Sequence, residues 1–158
     1  MDLILWRHAE AQVLSSSGKG GADDDLQRAL TAKGERQAAR VAHWLNRHLA
    51  DSTRILVSPA VRAQQTAEAL GRPFKTVAAL APGGTVQGLL EVARWPRGVE
   101  PVLVVGHQPT LGQVAAELLA GVDQSWAVKK AAVWWLRHRE RDGAAQVTLQ
   151  AVVSADFA

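Results

Sequence analysis

Three short apolar runs, each followed within a few residues by basic or titratable side chains, constrain the fold of this chain most. The runs are residues 3–6, 55–57 and 102–105, and each is a continuous apolar stretch of strand length. Strands that are apolar on both faces belong to parallel sheets covered by helices. A helical pattern follows each run, so the sequence predicts an α/β fold: a three-layer αβα sandwich with a mainly parallel, mixed sheet.

The remaining pattern extends this alternation and then changes character. We predict strands at 3–7, 54–57, 74–77, 101–105, 131–136 and 147–153, and helices at about 32–49, 58–70, 85–94 and 109–120. Thr31 and Ser58 are the expected helix N-caps, with Pro59 in the first helical position. The last two strands are joined around Asp142 and Gly143, which predicts an antiparallel hairpin. Residues 9–30 are expected to be a loop.

Length and composition exclude several classes of protein. A chain of 158 residues suits one domain, 1–158, and its net charge of +3 does not indicate nucleic-acid binding. The chain has no cysteine, which excludes disulfides and thiol catalysis. The first strand leaves no room for a signal peptide, and no apolar stretch approaches the roughly 20 residues that span a bilayer. We therefore expect a soluble cytoplasmic protein without a membrane partner.

Basic and titratable residues follow the predicted strands where a ligand site is expected. Arg7 and His8 end the first strand, Arg62 lies just beyond the second, and His107 follows the third. Each has an ordinary interpretation when taken alone, as surface polarity, a helix-surface charge or a helix cap. Ligands of open α/β sheets bind at the carboxyl ends of the strands, where these residues would meet. The combination favours a phosphate site.

The residue types fit phosphoryl transfer. The guanidinium groups of Arg7 and Arg62 match phosphate oxygens as forks of donors. An unprotonated imidazole nitrogen of His8 could attack phosphorus, and nearby arginines disfavour its protonation. The other ring nitrogen would donate its proton to a carbonyl, and His107 would stabilise the transferring oxygens.

Three motifs resemble those of the histidine phosphatase superfamily, also called phosphoglycerate mutase-like. Residues 7–10, Arg-His-Ala-Glu, resemble its Arg-His-Gly signature with alanine for glycine. Residues 58–67 resemble its Ser-Pro-x-x-Arg-x-x-x-Thr-Ala motif, and residues 105–110 resemble its Gly-His motif. The likeness covers about residues 2–120. Residues 28–34 resemble the Arg-x-Leu-Thr-x-x-Gly stretch of the SixA branch, the phosphohistidine phosphatases.

The resemblance implies roles for the four residues. His8 would be the nucleophile that becomes phosphohistidine, Arg7 and Arg62 would bind the phosphoryl group, and His107 would complete the pocket. The family needs no metal or other cofactor. The helix after His107 would begin near the pocket, where its amino-terminal dipole favours an anion.

A general acid is the part of the resemblance that this chain lacks. Larger members carry a carboxylate after the second motif, but residues 74–85 contain none. Glu10 and Glu91 are the candidates, and the acidic run 23–25 is interpreted as solvated charge on the loop rather than a metal site. A general acid is worth roughly 10²–10⁴ in rate. Its absence favours a leaving group that is readily protonated, such as the imidazole of phosphohistidine.

The sequence therefore predicts a phosphatase with a covalent intermediate on His8, acting on protein phosphohistidine. Two alternatives remain: a phosphomonoesterase for small sugar or nucleotide phosphates, and a non-catalytic phosphoprotein-binding module. The glycine-rich residues 15–21 lack the Gly-Lys-Ser/Thr ending of a phosphate-binding loop, which favours a mobile surface loop. The oligomeric state and the physiological partner stay open.

Overall fold

The computed structural model describes residues 1–14 and 21–158, and within them a mixed sheet of six strands has helices on both faces. The strands are β1 (Asp2–Arg7), β2 (Arg54–Val57), β3 (Lys75–Thr76), β4 (Val102–Gly106), β5 (Val133–Arg141) and β6 (Ala144–Val153). The helices are α1 (Ala22–Leu26), α2 (Ala32–His48), α3 (Val61–Glu68), α4 (Val86–Ala93) and α5 (Thr110–Ala120), with 3₁₀ turns at Ala78–Leu80 and Ala155–Phe157.

The strand order is β3-β2-β4-β1-β5-β6, and it confirms the predicted mixed sheet. Strands β1 to β4 run parallel, whereas β5 pairs antiparallel with β1 and β6 pairs antiparallel with β5. Arg7 lies opposite Gly106, and Val57 lies opposite Val105. The carboxyl ends of β1, β2 and β4 therefore coincide, and the residues that follow them emerge at one edge.

Two apolar cores, one on each face of the sheet, establish the three layers. Ile4 and Trp6 of β1 pack with α2 and α3, whereas Leu3 and Leu5 pack with α4 and α5. Alternate side chains of a strand point to opposite faces, so a strand covered on both faces must be apolar throughout. This arrangement explains the continuous apolar runs and confirms the αβα sandwich. The prediction of one domain over residues 1–158 stays a prediction.

The loop prediction for residues 9–30 is wrong in part, because α1 lies within it. Gly21 precedes this five-residue helix, and the aspartates of residues 23–25 occupy its first turn. Negative charge near a helix amino terminus is favourable, so an acidic run is compatible with a helix start. The predicted mobile loop and the rejected phosphate cradle concern residues 15–21, of which 15–20 lie outside the described residues.

Two expected N-caps have different outcomes. The Thr31 hydroxyl accepts the Gly34 backbone N–H at 3.0 Å, as predicted for the start of α2. Ser58 is not the cap of α3, which begins only at Val61 with Ala60 in the cap position. The Ser58 backbone N–H instead donates to the Val105 carbonyl at 3.1 Å, so Ser58 continues the pairing of β2 with β4. A residue before proline is restricted to extended conformations, which favours this role.

No helix within the described residues is both long enough and apolar enough to cross a bilayer.

Candidate active site

The backbone around Arg7 and His8 is held from two sides. The His8 N–H donates to the Gly106 carbonyl at 3.2 Å, which continues the pairing of β1 with β4. On the other side, the Arg7 N–H donates to the Ala132 carbonyl and the Ala131 N–H donates to the His8 carbonyl, each at 3.1 Å. Arg7, at the last paired position of β1, and His8, the residue after it, are therefore held on both sides where the chain leaves the sheet.

The His8 ring is buried and its tautomer follows from a single contact. Its Nδ1 lies 2.7 Å from the Ala9 carbonyl oxygen. Since a carbonyl oxygen only accepts, Nδ1 must carry the ring proton and donate it. In the neutral ring, Nε2 then keeps its lone pair and is available as a nucleophile.

Burial and neighbouring charge keep His8 neutral. The pKa of His8 is lowered from 6.5 to about 4, mainly by burial and also by the positive charges of Arg62, Arg7 and Arg28, against the opposing hydrogen bond to Ala9. At neutral pH the imidazole is therefore unprotonated, as a nucleophile requires.

His107 stands beside His8 and is positioned by Ser58. The centroids of the two imidazole rings are 5.2 Å apart, and the ring planes make an angle of 50°. His107 Nε2 lies 2.7 Å from the Ser58 hydroxyl, which also accepts the Ala60 N–H at 3.1 Å. The buried Ser58 hydroxyl has no other acceptor among the described residues, so its proton is donated to Nε2, which leaves the His107 ring proton on Nδ1.

The same burial that excludes water from His107 keeps it neutral. The pKa of His107 is lowered from 6.5 to about 3, mainly by burial and also by Coulomb repulsion from the protonated form of His8 and from Arg62. A neutral ring that carries its proton on Nδ1 can donate one hydrogen bond to an anion without adding a charge to the site.

Arg62 is almost fully buried and is held by residues from two elements. Its Nη1 donates to the Asp25 carbonyl at 2.8 Å, and its Nη2 donates to the Asp25 carboxylate at 3.2 Å. The Thr66 hydroxyl donates to the Arg62 carbonyl at 2.7 Å and accepts the Ala9 N–H at 3.0 Å. Thr66 thereby joins α3 to the segment that follows β1, so Arg62 and His8 share one support.

Unpartnered nitrogen atoms indicate what this site binds. In residues 1–14 and 21–158, four buried side-chain nitrogens have no hydrogen-bond partner: Arg7 Nε, Arg28 Nε, Arg62 Nε and His107 Nδ1. A buried donor left without a partner costs about 1–3 kcal/mol, and more when it is charged. Three guanidinium donors and one imidazole donor in this state are best satisfied by an anion with several oxygens. Phosphate is such an anion.

The structure brings Arg7, His8, Arg62 and His107 together, and it joins neither of the two acid candidates to them by a hydrogen bond within the described residues. Glu10 is held through its backbone, its N–H donating to Gln37 and its carbonyl accepting from Thr31. Glu91 is exposed on α4 and lines a surface cavity with Arg54 at the beginning of β2, the end opposite the site. Neither glutamate makes a hydrogen bond to the four site residues within the described part of the chain.

No group of three histidine, aspartate or glutamate side chains in the described ranges has a metal-binding arrangement. The helix expected after His107 is α5, which begins at Thr110. Its Leu111 N–H donates to the His107 carbonyl at 3.0 Å.

Four residues of the site were not singled out from the sequence. Ser58 and Thr66 lie in the motif at residues 58–67, and Arg28 lies in the stretch at 28–34, so those resemblances were the available signals. Nothing in the sequence indicates that Asp25 belongs to the site, because a run of three aspartates is equally typical of a solvated surface.

Comparisons with known proteins give a matching family model and similar chains. The model of the histidine phosphatase superfamily, branch 1, matches residues 3–83. A phosphohistidine phosphatase SixA homolog of Haemophilus influenzae is 35% identical over 134 residues, covering 75% of this chain and 77% of that protein. The phosphohistidine phosphatase SixA of Escherichia coli is 33% identical over 130 residues, covering 77% and 76%. The solved structure of the protein histidine phosphatase SixA complexed with tungstate has a TM-score of 0.77, 27% identity, and coverage of 99% and 98%.

Proposed function

Because this chain belongs to the histidine phosphatase superfamily, we propose that it removes phosphate from phosphohistidine in a protein through a covalent intermediate on His8. The observation that carries the proposal is the hydrogen bond from His8 Nδ1 to the Ala9 carbonyl, which leaves Nε2 free to attack. We also propose that the protein is cytoplasmic, as the sequence favours, and that the reaction requires no metal.

In the first step, the phosphoryl group moves from the substrate to His8. The guanidinium groups of Arg7 and Arg62 bind its oxygens, and the lone pair of His8 Nε2 forms a bond to phosphorus. The bond from phosphorus to the substrate nitrogen breaks, and its electron pair stays on that nitrogen. A substrate imidazole already protonated on its other nitrogen leaves as a neutral ring, so it needs no acid from the enzyme.

In the second step, water releases the phosphate. A water oxygen attacks phosphorus in line, the bond from phosphorus to Nε2 breaks, and its electron pair returns to His8. The water proton passes to the departing phosphate or to solvent. Throughout, the Nδ1 proton of His107 supplies a hydrogen bond to the phosphoryl oxygens as their charge develops.

Two considerations support phosphohistidine as the substrate over a small phosphomonoester. The curated relatives named above are called phosphohistidine phosphatases. In addition, an alkoxide leaving group needs a general acid worth roughly 10²–10⁴ in rate. Residues 74–85 contain no carboxylate, and Asp25 has its carboxylate engaged by arginines.

The test compares phosphate release from a phosphohistidine protein, a phosphoramidate and a panel of phosphate esters. We expect His8→Ala to lose turnover by at least about 10³-fold and to lose all covalent labelling by ³²P-phosphohistidine protein. His43→Ala, which changes an exposed histidine of α2, is the matched control and should keep both activities.

Phosphate release by His8→Ala at the wild-type rate would refute the nucleophile assignment. A preference for phosphate esters would instead favour the phosphomonoesterase. Vanadate binding without turnover of any substrate would favour a binding module.

A further inference from the structure

The carboxylate of Asp25 lies between two guanidinium groups. One oxygen, Oδ2, is 3.2 Å from Arg62 Nη2, and the other, Oδ1, is 3.2 Å from Arg28 Nε. A single carboxylate therefore spans from Arg62, which lies in the phosphoryl site, to Arg28, which comes from the segment after α1. The Asp25 carboxylate therefore links Arg28 directly to Arg62, a residue of the phosphoryl site.

The contact with Asp25 does not use the Arg28 donor fully. Although Nε is within ion-pair distance of Asp25, its N–H does not align with the carboxylate, and the atom is buried without a hydrogen-bond partner among the residues described. Arg7 Nε and Arg62 Nε are in the same condition. Three guanidinium groups therefore share one feature, a buried Nε donor that only an additional acceptor can satisfy.

The Arg28 segment is anchored to the elements that carry the site. The Gln12 N–H donates to the Ala29 carbonyl at 2.9 Å, which ties the segment to the chain after β1. The Leu30 N–H donates to the Gln65 side chain at 2.7 Å, which ties it to α3. Its neighbours thus fix Arg28 relative to both His8 and Arg62.

Charge balance explains why a third cation belongs here. Both histidines are neutral in the empty site, so the charges are those of Arg7, Arg62 and Asp25. Without Arg28 this set has one net positive charge, because Asp25 cancels one arginine. With Arg28 it has two, which match the charge of a phosphoryl dianion.

We propose that Arg28 is the third guanidinium of the phosphoryl site and donates to the oxygens of the bound group. This inference deepens the proposed function and rests on it only for the identity of the substrate. Asp25 then joins Arg28 and Arg62 and limits the net charge that the empty site carries. The lowering of the pKa of His8 by the charge of Arg28 agrees with this placement.

The test is Arg28→Met, which keeps the length of the side chain and removes its charge and donors. We expect inorganic phosphate and vanadate to bind about 10- to 100-fold more weakly, the loss typical of a charged hydrogen bond. The His8 ring, followed by NMR titration, should show a raised pKa in the empty protein. Arg28→Lys keeps the charge without the fork, so it should retain the His8 titration and lose less affinity.

The matched control is Arg47→Met, which removes the same charge from an exposed position in the last turn of α2. It should leave anion affinity and the His8 titration unchanged. If Arg28→Met binds phosphate and vanadate within about twofold of wild type, the proposal is wrong, and Arg28 serves only as the ion-pair partner of Asp25. Should Arg28→Met fail to fold, wild-type affinity in Arg28→Lys would equally contradict a role for the fork.

Kinetics separate this inference from the proposed function. Because Arg28 would hold the phosphoryl group itself, kcat/KM should fall by a similar factor for a phosphohistidine protein and for an aryl phosphate. A loss confined to the protein substrate would mean that Arg28 recognises the protein surface instead, which overturns the inference. Anion binding needs no turnover, so its result stands even if phosphohistidine is not the substrate.

Discussion

The stability of this protein should fall in weak acid because His8 is buried in its neutral form. The pKa of His8 is about 4 in the folded protein, against 6.5 for an ordinary histidine. As the pH falls from 6.5 toward 4, the unfolded chain binds a proton at this position that the folded chain does not. The stability that the neutral, buried His8 contributes is therefore fully present above pH 6.5 and is lost progressively below it.

The magnitude follows from the size of this shift. A gap of about 2.5 pH units, at ~1.36 kcal/mol per unit, makes the His8 contribution about 3 kcal/mol. His107, with a pKa of about 3, adds a loss in the same direction. Against a typical total stability of about 5–15 kcal/mol, the two histidines should remove a substantial part of the stability near pH 4.

Urea unfolding of wild type and His8→Asn at pH 7.5, 6.5, 5.5 and 4.5 measures this effect through tryptophan fluorescence. Between pH 6.5 and 4.5, the free energy of unfolding should fall less steeply for the variant than for wild type. The difference between the two slopes should be up to ~1.4 kcal/mol per pH unit. His43→Asn, at an exposed site on α2, should follow wild type. Parallel curves for wild type and His8→Asn would refute a buried neutral His8.

Three further outcomes follow from individual contacts. Gly34→Ala should lower the free energy of unfolding by about 1–3 kcal/mol in urea titrations, because the added Cβ would overlap the Glu10 carbonyl oxygen. Wild-type stability of this variant would contradict the close packing at Gly34. Ser58→Ala removes the hydroxyl that orients His107, so kcat should fall about 10- to 100-fold with a smaller change in KM, and an unchanged kcat would exclude the orienting role. Dialysis against EDTA should leave phosphatase activity intact, whereas a loss restored by a divalent cation would show that a metal takes part.

The parts of the fold that the sequence predicts are those governed by burial. The strand at Arg54–Val57 has the predicted bounds because both of its faces are covered, and the covering helices require an unbroken apolar run. The same rule brings Arg7 and His107 together, since parallel strands end at one edge of the sheet. In both cases the buried parallel sheet requires the same apolar strand pattern that the sequence shows, so that pattern is enough to predict the structure.

The parts that the sequence does not predict depend on contacts between distant segments. A serine before a proline has the chemistry of a helix cap, but Ser58 extends a strand because the Val105 carbonyl lies opposite its N–H. An acidic run has the chemistry of a solvated surface, but Asp25 lies against an arginine 37 positions away. The tautomer of His8 likewise depends on where the backbone places one carbonyl oxygen. Residue type and spacing therefore identify which groups can react, whereas the backbone path between them decides which nitrogen carries the proton and which carboxylate balances the arginines.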